Sequence, residues 1–218
     1  MDTDAKTSRE RYRAQVCAEI KQYAWEQLAT TGVSALSLNA IAKHVGMSGP
    51  ALYRYFASRD DLITDLIRDA YRSLADAVQA AAESGGAAEV AYAIRAWALA
   101  APQRYLFVYG TPIPGYRAPD DTTKISNEIM DVLLDVHDAC TVGGRATPFE
   151  VHLDDHRDWV GGKPVSSAVL RRALIFWTRI HGVLSLELAG HFAGMGFDPA
   201  VLFAAELEDL LAGGLRVA

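Results

Sequence analysis

The 218-residue sequence predicts an all-α protein: a three-helix N-terminal head joined by a long helix to a larger helical bundle. Three observations carry this expectation. Half of the residues are hydrophobic, enough to bury a sizeable core in one large domain or in a small domain joined to a larger one. Alanine and leucine dominate, and runs of β-branched residues are short. No segment alternates apolar and polar residues for long, as a half-buried strand would.

The elements follow in order. Val16, Ile20, Tyr23, Ala24 and Leu28 recur at helical spacing, so a first helix runs from about 8 to 30 and Gly32 stops it. Ser37 is a good N-cap for a short second helix with Ile41, Ala42 and Val45 inward, and Gly46 suits the position just past its end. Ser48 caps a third, which runs through the i,i+4 pair Leu52 and Phe56. A fourth starts near Arg59, with Leu62, Ile63, Leu66, Ile67, Ala70 and Leu74 as its apolar stripe, and is punctuated by "SGG" at 84–86. Further helices are expected at 87–101, after Pro102, and at 120–139, 166–192 and 199–212. The connection at 143–164 exceeds the usual loop length, so it is either mobile or contains a short helix. The division into domains is placed between 62 and 63.

The net charge of −6 argues, as an average, against a nucleic-acid partner. The distribution argues otherwise. Residues 1–60 hold eight Lys and Arg against six Asp and Glu, a net +2 that leaves −8 on the remainder: a basic end on an acidic body. Cys17 and Cys140 lie far apart and form no metal-type pair, and Cys17 reads as a buried thiol. The N-terminal "MDTDAKTSRERYRAQ" is too polar for a signal peptide, and no apolar run reaches membrane-spanning length. The expectation is a cytoplasmic protein with no membrane partner.

Two short helices joined by a glycine turn and backed by a longer helix describe a helix-turn-helix. The stretch "SLNAIAKHVGMSGPALYRYFASRDDL" (37–62) resembles the N-terminal DNA-binding domain of the TetR family of bacterial transcription regulators. Ile41-Ala42, Val45-Gly46, Ser48, Leu52-Tyr53, Tyr55-Phe56, Ser58 and Leu62 stand at that family's spacing. The resemblance implies an all-α homodimer that places one recognition helix per subunit in successive major grooves of operator DNA.

On that reading Gly49, Pro50 and Ala51 form the first turn of the recognition helix, where proline's missing N–H costs nothing. Gly49 lets backbone approach base edges, and the Ala51 methyl can meet a thymine methyl. Tyr53 and Tyr55 offer hydroxyls to phosphate, and Arg59, where the family more often has lysine, is a phosphate clamp. Asn39 and Ser37 reach a base edge and a phosphate. Two plainer readings stay open: Tyr53 as part of the core, and Arg54 as a solvated side chain. With so few base-edge donors, DNA shape and phosphate contacts carry much of the affinity. Arg9, Arg11 and Arg13 stand where an N-terminal arm would add backbone or minor-groove contacts, or be disordered.

The body is read from 166–192. Leu170, Leu174, Trp177, His181, Leu184 and Leu188 make one stripe, and Val169, Ala173, Phe176, Ile180 and Val183 a second. A helix apolar over two faces touches its own domain and something else, most simply a second copy. The helix at 199–212, capped by Asp198 with Pro199 at its first position, is equally broad, and the two expect a four-helix dimer interface. Trp177, His181 and Gly182 look like the pattern that names the Trp-His-Gly type of TetR C-terminal domain, which implies ligand sensing. Gly182 is read as permitting close helix packing.

Tyr92 and Phe107, with the candidate ligand residues Trp97, Tyr105, Tyr109, Met130, Phe176, Trp177 and His181, can line an apolar cavity or simply be core. His181 and Glu187 face either a ligand or the interior, and "YGTPIPGYRAP" is a candidate mouth. The other function class is a helical metal-dependent enzyme using His152, Asp154, Asp155 and His156, although no zinc signature is matched. Without a phosphate loop, nucleophile elbow or triad, no enzyme and no cofactor is expected. The expectation is a DNA-binding repressor released by a small apolar or aromatic ligand, with the fourth helix as lever.

Overall fold

In the computed structural model, which describes residues 8–110, 112–138 and 145–212, these residues form ten α-helices and two single 3-10 turns. The helices are α1 (Ser8–Thr31), α2 (Leu38–His44), α3 (Gly49–Leu52), α4 (Arg59–Ser84), α5 (Ala87–Ala100), α6 (Pro102–Tyr109), α7 (Asp120–Asp138), α8 (Pro148–Asp154), α9 (Ser167–Leu188) and α10 (Pro199–Ala212). There is no strand among the described residues.

Two apolar cores lie along one helix. At 26 residues and 1.5 Å rise per residue, α4 is about 39 Å long. Its Leu62, Ile63, Leu66, Ile67 and Ala70 pack with Ile20, Ala24, Ile41, Leu52 and Phe56 in the head. Leu74, Ala75 and Val78 pack with α5, α7 and α9 in the body. The boundary expected between 62 and 63 therefore falls inside the head's cluster. Each fully buried leucine or isoleucine contributes roughly 1.5–3 kcal/mol. Lys21 Nζ adds a tie, 2.8 Å from both Asp65 and Asp69.

Several expectations need correction. Regular α3 covers only Gly49–Leu52; the chain then tightens, with Arg54 and Tyr55 donating to carbonyls three residues back, before Phe56 returns to the core. α9 stops at Leu188, not 192, because Gly190 takes φ +78° and His191 N–H reaches back to Leu186 O. The long connection contains a short helix, α8, where Thr147 and Glu150 cap each other reciprocally and Leu153 is buried. Cys17 is half-buried rather than buried, and Cys140 lies outside the described residues. Arg9, Arg11 and Arg13 belong to the opening turns of α1, not to an extended arm. Gly182 is exposed, and a Cβ there would meet nothing within 4 Å, so no helix of the same chain requires a glycine.

Candidate nucleic-acid interface and ligand site

The head is held rigid around its short helices. Ser37 accepts from Ala40 N and Ser48 from Ala51 N, caps that each contribute roughly 1 kcal/mol. Gly46 turns the chain between α2 and α3 at φ +69°, a left-handed conformation suited to glycine. Tyr23 of α1 stacks on His44 of α2 with ring centroids 3.6 Å apart and nearly parallel. Gln27 Oε1 accepts the Ser37 N–H at 3.0 Å.

These contacts leave one polar face outward. Asn39, Ser48, Pro50 and Tyr53 are exposed, with Ser37, Gly49, Ala51 and Tyr55 half-exposed beside them. An added Cβ at Gly49 would lie 3.8 Å from Asn39 Oδ1, so Asn39 and the first turn of α3 share this face. That distance is ordinary contact, so packing within the chain does not require glycine at this position. Tyr53 is 48 % exposed, which answers the alternative of a core tyrosine.

Arg13 reaches across from α1, donating to Arg54 O at 3.3 Å and lying 5.0 Å from the centre of the Tyr55 ring. Arg54 thus contributes a carbonyl that anchors α1 to the end of α3. Arg59 donates from Nη2 to Val33 O at 2.5 Å and from Nε to Leu36 O at 3.3 Å. Its guanidinium pins the 3-10 turn Val33–Ala35, a structural role the sequence reading did not foresee.

In the body, the residues brought together around His181 are Tyr105, Tyr109 and Trp177, with ring centroids 5.6, 4.3 and 5.4 Å from it. Trp97 lies 6.5 Å from Tyr105 and donates to Ser73 Oγ at 2.9 Å. The Tyr105 hydroxyl is within 3.0 Å of His181 Nδ1, 3.1 Å of His181 O and 2.9 Å of Ser185 Oγ. One arrangement satisfies all three: tyrosine donates to the carbonyl and accepts from the imidazole N–H and the serine. Burial in these rings pushes His181 down to about 4, so the imidazole is neutral at pH 7. Burial likewise raises Tyr105 and, more strongly, Tyr109.

Phe176 and Met130 are not part of this niche. Phe176 is buried edge-on against His137 of α7, and Met130 packs on the general core. Glu187 faces Arg95, not a cavity: the pair is bidentate at 2.5 and 2.9 Å, with side chains 13 % and 12 % exposed. Neither Ser73 nor Arg95 was anticipated. Ser185 had a signal, because it continues the four-residue spacing of Trp177 and His181.

The His/Asp segment forms no three-ligand cluster among the described residues. The His152 and His156 rings stack 4.0 Å apart, and Asp154 accepts from Ser167.

Comparison with known proteins agrees with the geometry. Residues 21–66 match the model of bacterial regulatory proteins of the tetR family, and 87–210, more than half of the chain, match that of the tetracyclin repressor-like C-terminal domain. The chain belongs to the TetR family. HTH-type transcriptional regulators of Mycobacterium bovis and Mycobacterium tuberculosis are 35 % identical to it over 92 % of each chain. The crystal structure of the regulatory protein SCO4313 is 64 % identical, covers 94 % of this chain and 100 % of its own, and superposes with a TM-score of 0.88. A tetR-family regulator from Rhodococcus RHA1 shares the fold at 17 % identity and a TM-score of 0.61, covering 90 % of this chain and 95 % of its own.

The protein is therefore a DNA-binding transcriptional regulator and not an enzyme. The TetR family binds operator DNA, forms dimers and often responds to small molecules. Among the described residues no helix is long and apolar enough to cross a membrane.

Proposed function

We propose that the protein is a homodimeric, cytoplasmic repressor that leaves its operator when a small apolar or aromatic molecule binds the body. The observation that carries the DNA half is the exposed first turn of α3 beside Asn39, on a head whose short helices are capped and packed on α1. The two copies of α3 enter successive major grooves, with Ser37, Tyr53, Tyr55 and the remaining donors of Arg59 toward the backbone. The aromatic niche of Trp97, Tyr105, Tyr109, Trp177 and neutral His181 supports the ligand half.

Apolar surface supports dimerisation through α9 and α10. Leu186, Val201 and Leu211 are exposed at 45, 67 and 43 %, and Gly182 has open space where a second helix can approach closely. Coupling has two routes. α4 belongs to both cores, and α6 touches both: Phe107 packs edge-on against Trp25 of α1, while Tyr105 and Tyr109 reach His181 of α9.

A thermal-shift panel of small aromatic compounds, followed by anisotropy titrations with operator DNA, tests the reading. By linkage, a compound that stabilises the free protein and not the DNA-bound form must weaken operator binding. Stabilising compounds that all leave DNA affinity unchanged contradict induction.

A further inference from the structure

One space beside the niche runs along the seam between head and body. A cleft of about 860 Å³ has the end of α1 and the following turn as one wall, including Leu28, Ala29 and Val33. The other wall comes from α6 and the end of α9, including Leu106, Tyr109 and Ala189. Pro112 and Ile113 form its rim. On the other side of that short strap is a second hollow of about 350 Å³, walled by Tyr71, Tyr116 and Thr122.

The chemistry of these walls is unusual for a charged surface. Among the described residues, neither space has an Asp, Glu, Lys or Arg in its lining. Polar character in the larger one comes from groups such as Gln103, Ser185 and Tyr109, with one imidazole, His191. Ser185 is already engaged by Tyr105. Tyr109, half-buried, lines this cleft, and its hydroxyl has no hydrogen-bond partner among the described residues. Such a hydroxyl is free to donate to an acceptor on a molecule bound in the cleft.

We propose that the seam cleft binds a neutral, largely apolar molecule carrying one hydrogen-bond acceptor, which takes the Tyr109 hydroxyl as its donor. A carboxylate, phosphate or ammonium ligand would be partly desolvated there with no Asp, Glu, Lys or Arg of the described lining to pair with it, which disfavours it. The proposal rests on the reading that this protein answers to a small molecule, and it gives that molecule a place and a chemical class.

The site also has a route to the head. One wall is the head itself, so occupancy depends on the distance between α1 and α6. The strap is tied to α4 by the Tyr116 hydroxyl, 2.9 Å from Thr64 Oγ1. It leaves α6 through Gly110, whose Cβ, if present, would lie 2.3 Å from the Leu106 carbonyl oxygen. The strap therefore has a glycine-dependent start on the body and a hydrogen-bonded foot on the head.

The experiment uses prodan, a neutral naphthalene ketone whose emission moves to the red when its carbonyl accepts a hydrogen bond. Full-length protein is titrated with prodan, with and without operator DNA, alongside Tyr109→Phe and Ala189→Trp; thermal melts verify that both variants fold. The expected result is saturable binding of one prodan per chain. Tyr109→Phe should weaken it about 3- to 10-fold, as loss of one hydrogen bond does, and shift the emission to the blue. Ala189→Trp, which fills the cleft, should abolish it. No saturable binding, or binding that both folded variants retain unchanged, overturns the proposal. Binding with the expected variant pattern but no effect on operator affinity upholds the site and instead contradicts the ligand-released repressor.

Discussion

His181 makes the stability of the body depend on pH in a calculable way. Its pKa is about 4 in the fold, against 6.5 for the unperturbed side chain, because burial among Tyr105, Tyr109 and Trp177 disfavours the imidazolium. A lowered histidine pKa means that the unfolded chain binds more protons between those two values. The stabilisation is therefore fully present above pH 6.5 and is lost as pH falls toward 4. Integrating the two titration curves from pH 7 to about pH 4.5 gives a loss of about 2 kcal/mol from this one group. For a chain of this size that corresponds to roughly 4–8 °C in melting temperature.

Carboxylates and His137, whose pKa burial also lowers, titrate in the same range, so the wild-type curve alone does not isolate the effect. The comparison is with His181→Gln, which retains a polar side chain and does not titrate. Urea unfolding at about pH 7 and pH 4.5 should show wild type losing about 2 kcal/mol more than the variant. Equal losses in the two proteins would refute the assignment of a neutral, desolvated imidazole.

Two further outcomes follow from particular positions. Gly49→Ala should fold as well as wild type, or gain up to about 1 kcal/mol from helix propensity, because its Cβ meets only ordinary contact. It should nevertheless weaken DNA binding about tenfold, seen by anisotropy, if backbone lies against the bases there. Val201→Asp, at a position 67 % exposed, should leave the circular dichroism unchanged but shift sedimentation from dimer to monomer; an unaltered dimer would move the interface elsewhere.

Much of the architecture was legible because it depends on local signals. Ser37 and Ser48 as caps, Gly46 as the turn and Leu52 with Phe56 as inward anchors are each set by a few neighbouring residues. Helix ends governed by more distant bonds were harder to read. Gly190 lies inside an apolar run, and its positive φ with the His191-to-Leu186 hydrogen bond shows that it ends α9. The niche was legible in part, because Tyr105 with Tyr109 and Trp177 with His181 each stand four residues apart on a helix. Which of several apolar residues share that face was not, and Phe176 turns toward His137.

Long-range pairs were least accessible. Nothing local joins Arg95 to Glu187, and Glu187 amid leucines looked equally like a ligand group. Arg59 shows the same limit from the other side. An arginine at the start of a helix beside a DNA-reading element looks like a phosphate clamp, yet the turn it supports is 26 residues away in sequence.

The central claim is that α3 from two copies reads two successive major grooves. Footprinting the full-length protein on DNA enriched from a random library, together with an Ala51→Glu variant, tests it most directly. Two protected half-sites with centres about 10 base pairs apart are expected, both lost when glutamate faces the phosphates. The same footprint retained by Ala51→Glu would contradict it.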